Sequence, residues 1–236
     1  MRMGFSKLLE RLRTSIIRAI LSLLVLIMRA DFALAQDTES QAPSYRVMAL
    51  GDSLTAGYRL PKEQAFPSLL EKKLQAKGYK IEIVNSGVSG DTARQAWARL
   101  DWTLKKAGPF QAALVELGAN DGLRRSSVAQ MRESLEKIIV KLKGVGLDVF
   151  LLGMKLPTNW EKAYREEFEK TYVELSKKHK VPLYPFVLEG LAMNDQYNLQ
   201  DRIHPNPEGH ALIADRLEAW LVKQPDFSRR AAKVRP

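Results

Sequence analysis

The sequence predicts a three-layer α/β domain, in which a central five-stranded parallel sheet lies between two layers of helices. Short β-branched and apolar runs alternate five times with longer segments whose apolar residues recur every three or four positions. This alternation favours one parallel sheet covered on both faces over two small domains. The 236 residues, 45% of them hydrophobic and 27% charged, suffice for one globular domain with a sizeable core.

Each predicted strand is a short, mostly apolar run, and the five runs are Arg46–Leu50, Ile81–Asn85, Ala112–Leu117, Val149–Leu152 and Val181–Tyr184. Each predicted helix is a longer amphipathic segment, and the five segments are Ala65–Lys77, Thr92–Lys106, Val128–Lys143, Trp160–Lys180 and Pro207–Lys223. Asn206 and Pro207 provide an N-cap and a first-turn proline for the last helix. We therefore predict a domain over residues 45–224, preceded by a linker at 36–44.

The first 35 residues have the features of a secretory signal peptide. Several basic residues precede an apolar run over Ala19–Met28, and Ala33-Leu34-Ala35 offers a small-x-small cleavage site. The run is well short of the roughly 20 residues that span a bilayer. We therefore expect cleavage after Ala35 and export to the periplasm or the medium. A retained N-terminal anchor is the alternative, because Arg29 and Asp31 interrupt the region before the cleavage site.

Charge and cysteine content exclude some classes of function. The formal charge of +10 falls to +6 once residues 1–35 are removed, and part of the remainder lies in a basic tail at 225–236. We expect this tail to be solvated and frayed, and we expect no nucleic-acid partner. The absence of cysteine excludes thiol catalysis and cysteine-ligated metal sites.

Polar segments follow the predicted strands, where open parallel sheets bind their ligands. They are rich in glycine, serine, asparagine and aspartate, and comprise Gly51–Leu54, Ser86–Asp91, Gly118–Asp121 and the later segment Asp201–Pro205. Because the carboxyl ends of parallel strands meet at one edge of the sheet, we expect these segments to form one site.

Ser53, Asp201 and His204 are the candidates for nucleophilic catalysis. Ser53 follows the first strand, and a serine hydroxyl needs a base, usually a histidine that a carboxylate orients. His179 lies in a lysine-rich helix end and His210 within the last helix, where structural roles are the default. His204 stands three residues after Asp201, a spacing that brings both side chains to one side of a turn. The alternative for both segments is purely structural, as polar turns that begin a helix.

Gly90 and Asn120 are candidate donors to the negative oxygen of a tetrahedral intermediate. Glycine presents its backbone N–H without an obstructing side chain, and asparagine offers a carboxamide. An asparagine in a glycine-rich loop is otherwise a common turn former.

The four segments resemble, in order and spacing, the conserved blocks of the SGNH (GDSL) hydrolase family, and the similarity extends from about Tyr45 to Leu221. The resemblance implies a flavodoxin-like sandwich without metal or organic cofactor that hydrolyses esters and thioesters, including aryl esters, acyl-CoA and lysophospholipid-like substrates. It implies Ser53 as nucleophile, His204 as general base and then acid, and Asp201 as its orienting carboxylate. The backbone N–H groups of Ser53 and Gly90 and the Asn120 side chain would form the oxyanion hole.

Two other classes of function stay open at this stage. A carbohydrate O-deacetylase of the same family would share the catalytic blocks, whereas a non-enzymatic flavodoxin-like binding module would leave the triad residues without a role. An α/β-hydrolase is disfavoured because neither Ser53 nor Ser89 lies in a G-x-S-x-G motif. We expect a monomer with a small-molecule or lipid ester as its partner. An apolar groove for the acyl chain is predicted from Leu156, Trp160, Leu191, Met193 and Tyr197, with core packing as the alternative.

Overall fold

The computed structural model describes residues 45–231, which lie in one compact unit, Pro43–Pro236. The predicted signal peptide and linker, and the last five residues, lie outside the described residues. The five strands are β1 (Tyr45–Gly51), β2 (Ile81–Gly87), β3 (Ala112–Glu116), β4 (Asp148–Leu152) and β5 (Leu183–Tyr184). All neighbouring strands are parallel, in the order β2-β1-β3-β4-β5. The predicted five-stranded parallel sheet is therefore confirmed.

The register aligns the ends of the three strands that precede the predicted site. Gly51 at the end of β1 lies opposite Gly87 of β2 on one side and Glu116 of β3 on the other. The chain leaves β1 for one neighbour and returns to the other, so the switch point of the topology lies between β1 and β3. The segments that begin at Asp52 and at Leu117 therefore emerge side by side.

The helices are α1 (Ser53–Ala56), α2 (Phe66–Ala76), α3 (Ala93–Ala107), α4 (Ala119–Leu123), α5 (Val128–Gly144), α6 (Lys162–His179), α7 (Pro207–Leu221) and α8 (Pro225–Arg230). A short 3₁₀ turn at Lys62–Gln64 precedes α2. The five long helices match the predicted ones within two residues at each end. The short helices α4 and α8 were not predicted, because five or six residues are too few to display a helical period, whereas α1 is the helix that the capping alternative places at Ser53.

The start of α7 confirms the predicted cap. The side chain of Asn206 accepts the N–H of Gly209 at 3.0 Å, and Pro207 is the first helical residue. His210 then points inward: it is 1% exposed, and its Nδ1 accepts the N–H of Phe66 at 3.1 Å, the first residue of α2. The histidine thus satisfies a helix N-terminus that has no cap of its own.

The predicted solvated tail is wrong for its first residues, which form α8 and pack on the domain. Phe227 is fully buried, with its ring 5.7 Å from that of Tyr45 and 5.2 Å from that of Tyr79. Arg230 forms an ion pair with Asp148 at 2.9 Å. The prediction rested on the basic residues of the tail and took no account of Phe227, whose burial holds the segment against the domain.

Candidate active site

Ser53 is the first residue of α1 and stands directly beyond β1. Asp52 is the N-cap, and its Oδ1 accepts the N–H of Leu54 at 3.0 Å. The turn requires glycine at position 51, because a Cβ there would lie 1.9 Å from Oγ1 of Thr55. As the first residue of a helix, Ser53 has no intrahelical acceptor for its N–H. The helix cap and the candidate nucleophile are thus parts of one turn rather than alternatives.

Ser53, His204 and Asp201 lie in one hydrogen-bonded line. Oγ of Ser53 is 3.0 Å from Nε2 of His204, across 151 residues of chain, and Nδ1 of His204 is 2.9 Å from Oδ2 of Asp201. The structure therefore brings these three predicted residues together at the switch point of the sheet.

Asp201 is held by the backbone of its own turn. Its Oδ1 accepts the N–H groups of Ile203 and His204, both at 3.0 Å, while Oδ2 faces the imidazole. Partial burial alone raises the pKa of Asp201, but these backbone donors and the His204 side chain outweigh it and lower the pKa to about 2. The carboxylate is therefore ionised at any pH near neutrality.

The loop that carries His204 is fastened on both sides. The N–H of Leu199 donates to the carbonyl of His204 at 2.8 Å, and the N–H of Asn206 donates to the carbonyl of Tyr197 at 2.9 Å. The ring of Tyr58 packs against the imidazole with the two centroids 4.3 Å apart. The sequence analysis missed Tyr58, whose only signal was its position five residues after Ser53.

The two predicted oxyanion donors are connected through α4. Gly90 has φ +87°, a left-handed conformation that favours glycine, and its carbonyl accepts a hydrogen bond from Nη2 of Arg124 at 2.9 Å. Nδ2 of Asn120 donates to Oδ2 of Asp52 at 3.1 Å and to the carbonyl of Asp91 at 3.0 Å. Asn120 and Gly90 are thus held at the edge of the site by Asp52, Asp91 and Arg124.

Two buried carboxyl groups lie behind the nucleophile, and the sequence analysis assigned neither a role in the site. Asp52 and Glu116 are each 1% exposed, and Oε2 of Glu116 accepts the hydroxyl of Thr55 at 2.8 Å. Burial raises the pKa of both groups, and for Glu116 the charge of Asp52 raises it further. Burial therefore favours the neutral form of Glu116, whereas Asp52, with a pKa of about 6, is mostly ionised at neutral pH.

The five residues predicted to line an acyl groove differ in their exposure. Leu191 is fully buried and Leu156 is 6% exposed, so both belong to the core and present almost no surface to a ligand. Trp160 and Tyr197 are partly buried against the core, and Met193 is 60% exposed. For Leu156 and Leu191 the structure supports the alternative, packing in the core.

Other exposed apolar side chains lie on the segments that carry the candidate catalytic residues. Val88 is 44% exposed two residues before Gly90, Leu123 is 41% exposed three residues after Asn120, and Ile203 is 49% exposed beside His204. Sequence analysis missed them because isolated apolar residues in polar loops produce no periodic pattern.

Between residues 45 and 231 no group of three or more histidine, aspartate or glutamate side chains is arranged to hold a metal ion. None of the helices in that range has the length and hydropathy of a membrane span.

A serine, a histidine and a carboxylate in line at the switch point of a five-stranded parallel sheet define the class of serine hydrolases with an α/β/α sandwich. Within that class, residues 49–212 match the GDSL-like Lipase/Acylhydrolase family. The chain belongs to this family and is a GDSL (SGNH) esterase.

Named relatives cover most of the described domain. The chain is 40% identical over 178 residues to "Thioesterase 1/protease 1/lysophospholipase L1" of Escherichia coli, covering 75% of this chain and 82% of that protein. It is 38% identical over 184 residues to an arylesterase of Vibrio mimicus, covering 78% and 91%. A crystal structure of TesA superposes with a TM-score of 0.72 at 33% identity, covering 77% of this chain and 99% of that one.

Proposed function

We propose that this esterase acts through an acyl-enzyme on Ser53, with His204 and Asp201 completing the catalytic triad. The observation that carries the proposal is the 3.0 Å separation of Ser53 Oγ and His204 Nε2, with Asp201 on the far side of the imidazole. The hydrogen bond to ionised Asp201 places the proton of neutral His204 on Nδ1 and leaves Nε2 free to accept.

The reaction then has two halves. Nε2 of His204 takes the hydroxyl proton while Oγ of Ser53 attacks the carbonyl carbon, and Asp201 stabilises the imidazolium. The developing oxyanion lies among the N–H groups of Ser53 and Gly90 and the amide of Asn120. The imidazolium gives its proton to the departing alcohol or thiol, and the acyl group stays on Ser53. In the second half, His204 takes a proton from water as the water oxygen attacks the acyl carbon, and the imidazolium then gives that proton to Oγ of Ser53 as the acid leaves.

For the substrate we propose aryl esters, acyl thioesters and lysophospholipid-like esters. The names of the relatives supply these classes, and the exposed Val88, Leu123 and Ile203 offer apolar surface beside the triad for an acyl chain or an aromatic ring. Trp160, Met193 and Tyr197 remain candidates for a wider groove, whereas Leu156 and Leu191 support it from the core.

We also propose that the protein is exported after cleavage at Ala35. The basic start, the short apolar run and the Ala33-Leu34-Ala35 site support this proposal.

The test of the triad is Ser53→Ala assayed with p-nitrophenyl esters. Without its nucleophile the variant should lose at least a thousandfold in kcat, on the order expected for a triad residue, and keep its circular dichroism spectrum. Ser89→Ala is the matched control, because Ser89 is an exposed serine at the end of a neighbouring strand. Ser53→Ala activity within tenfold of wild type in a folded protein would refute the assignment.

A further inference from the structure

A cavity of about 330 Å³ opens between the start of α3 and the segment from α4 to α5. All of its lining residues have side chains that can form hydrogen bonds, and they are Thr92, Arg94, Gln95, Asp121, Arg124, Ser126 and Gln130. None of these side chains takes part in the triad. The cavity is therefore a separate recess with its own chemistry.

The exposed charge in this cavity is positive. Arg94 is exposed and has no hydrogen-bond or ion-pair partner among residues 45–231. Arg124 is also exposed and bonds only to the carbonyl of Gly90. Asp121, the one acid, is 5% exposed, and its Oδ2 accepts the N–H of Ala93 at 2.8 Å. Two exposed arginines thus line the recess, and the one acid that also lines it is buried, accepts the N–H of Ala93 and interacts with the charge of Arg124.

The recess adjoins the oxyanion side of the active site. Arg124 follows Asn120 by four residues, about 6 Å along a helix axis. The same Arg124 donates to Gly90, whose N–H is a proposed oxyanion donor. A ligand group bound by Arg124 would therefore lie close to an ester whose carbonyl points at Gly90 and Asn120.

We propose that this cavity, called here the arginine recess, binds a phosphate group carried by the ester or thioester substrate. Guanidinium groups suit the oxygens of phosphate, and the neighbouring hydroxyl and amide side chains supply further donors. The inference rests on the proposed function and narrows its substrate class to phosphorylated acyl compounds. The phosphate comes from one of two sources, the glycerophosphate of a lysophospholipid or the phosphates of coenzyme A.

The test uses two substrate pairs that share an octanoyl chain and differ in phosphate. Octanoylglycerol phosphate is compared with octanoylglycerol, and octanoyl-CoA with octanoyl-pantetheine. For each pair the ratio of kcat/KM, phosphorylated over neutral, is measured in wild type, Arg94→Gln and the double variant Arg94→Gln/Arg124→Gln. Arg229→Gln is the matched control, because Arg229 is an exposed arginine on α8 outside the recess.

In at least one pair the wild-type ratio should exceed ten, and Arg94→Gln should lower it about five- to tenfold, the usual effect of one charge-assisted contact near the surface. The double variant should bring it close to one, and Arg229→Gln should leave it unchanged. The pair that responds identifies the source of the phosphate. Ratios that the arginine changes leave unaltered in both pairs would overturn the recess proposal. Failure to hydrolyse even the neutral esters would count against the proposed function instead.

Discussion

Asn120, which we propose as an oxyanion donor, already uses both hydrogens of its amide in this structure. An amide NH₂ has two hydrogens, and in this structure they are directed to Oδ2 of Asp52 and the carbonyl of Asp91. An oxyanion that forms beside Asn120 must therefore share or replace one of these bonds. Because Asp52, with a pKa of about 6, is mostly ionised at neutral pH, the uncharged carbonyl of Asp91 is the weaker competitor, and we expect the oxyanion to draw on the hydrogen that Asp91 accepts.

Asn120→Ala should therefore lower kcat with little change in KM, because the lost interaction forms mainly in the transition state. Removal of one oxyanion donor typically costs on the order of a hundred- to a thousandfold in rate, or roughly 3 to 4 kcal/mol. Measurement of kcat, KM and Tm on one preparation checks this, with the exposed Asn159→Ala as control. A lower Tm with wild-type kcat would assign Asn120 a structural role only.

For individual residues, the sequence predicted which side chains come together but not the contacts that hold them in position. Residue type and position after a strand selected Ser53, Gly90 and Asn120, whereas the three-residue spacing selected Asp201 and His204. Asp52 contacts Asn120, and Tyr58 contacts His204. Both contacts join segments that are far apart in the chain, and no local sequence pattern encodes them. The burial of Leu156 and Leu191 likewise depends on tertiary packing.

Among the elements, the pair α2 and α7 depends on a buried histidine. Periodicity placed His210 within a helix but gave no reason to expect that its imidazole caps another helix. Because Nδ1 accepts the N–H of Phe66, that nitrogen must be unprotonated in the folded protein. Burial, and secondarily the charge of His204, lower the pKa of His210 to about 4.

This arrangement predicts a loss of stability in mild acid. The ordinary pKa of histidine is about 6.5, so between pH 6.5 and 4 the unfolded chain binds a proton that the folded protein does not. The free energy of unfolding therefore decreases as the pH is lowered from 6.5 to 4, and His210 accounts for on the order of 2 to 3 kcal/mol of this decrease. His210→Asn keeps an acceptor for Phe66 but does not titrate, and urea unfolding at pH 7 and pH 4.5 should show a smaller loss for it. Equal losses in both proteins would contradict the role of His210.

Over the whole molecule, alternation of strands and helices predicted the parallel sheet and its layers. Alternation does not determine strand order, because each crossover can place the next strand on either side of the last. The observed order β2-β1-β3-β4-β5 decides that the segments after β1, β2 and β3 meet. Those segments carry Ser53, which is the candidate nucleophile and a candidate oxyanion donor, and the other two candidate donors, Gly90 and Asn120.

Removal of residues 1–35 would change the mass, the N-terminus and the location of the whole protein. If residues 1–35 are a cleaved signal, mass spectrometry of protein from the native host should find a mature N-terminus at Gln36. The protein should appear in the periplasmic or extracellular fraction. Recovery of the intact chain, beginning at Met1, from the cytosol would refute cleavage and export together.

Covalent labelling by a fluorophosphonate, which reacts with an activated serine and mimics the tetrahedral intermediate, tests most directly whether Ser53 is the nucleophile. Intact-mass and peptide analysis should show one adduct per chain, on Ser53, formed in step with the loss of esterase activity. His204→Ala should slow labelling strongly, because the hydroxyl then lacks its base. Undiminished labelling of Ser53→Ala, or full activity after complete modification of Ser53, would show that the ester is cleaved elsewhere.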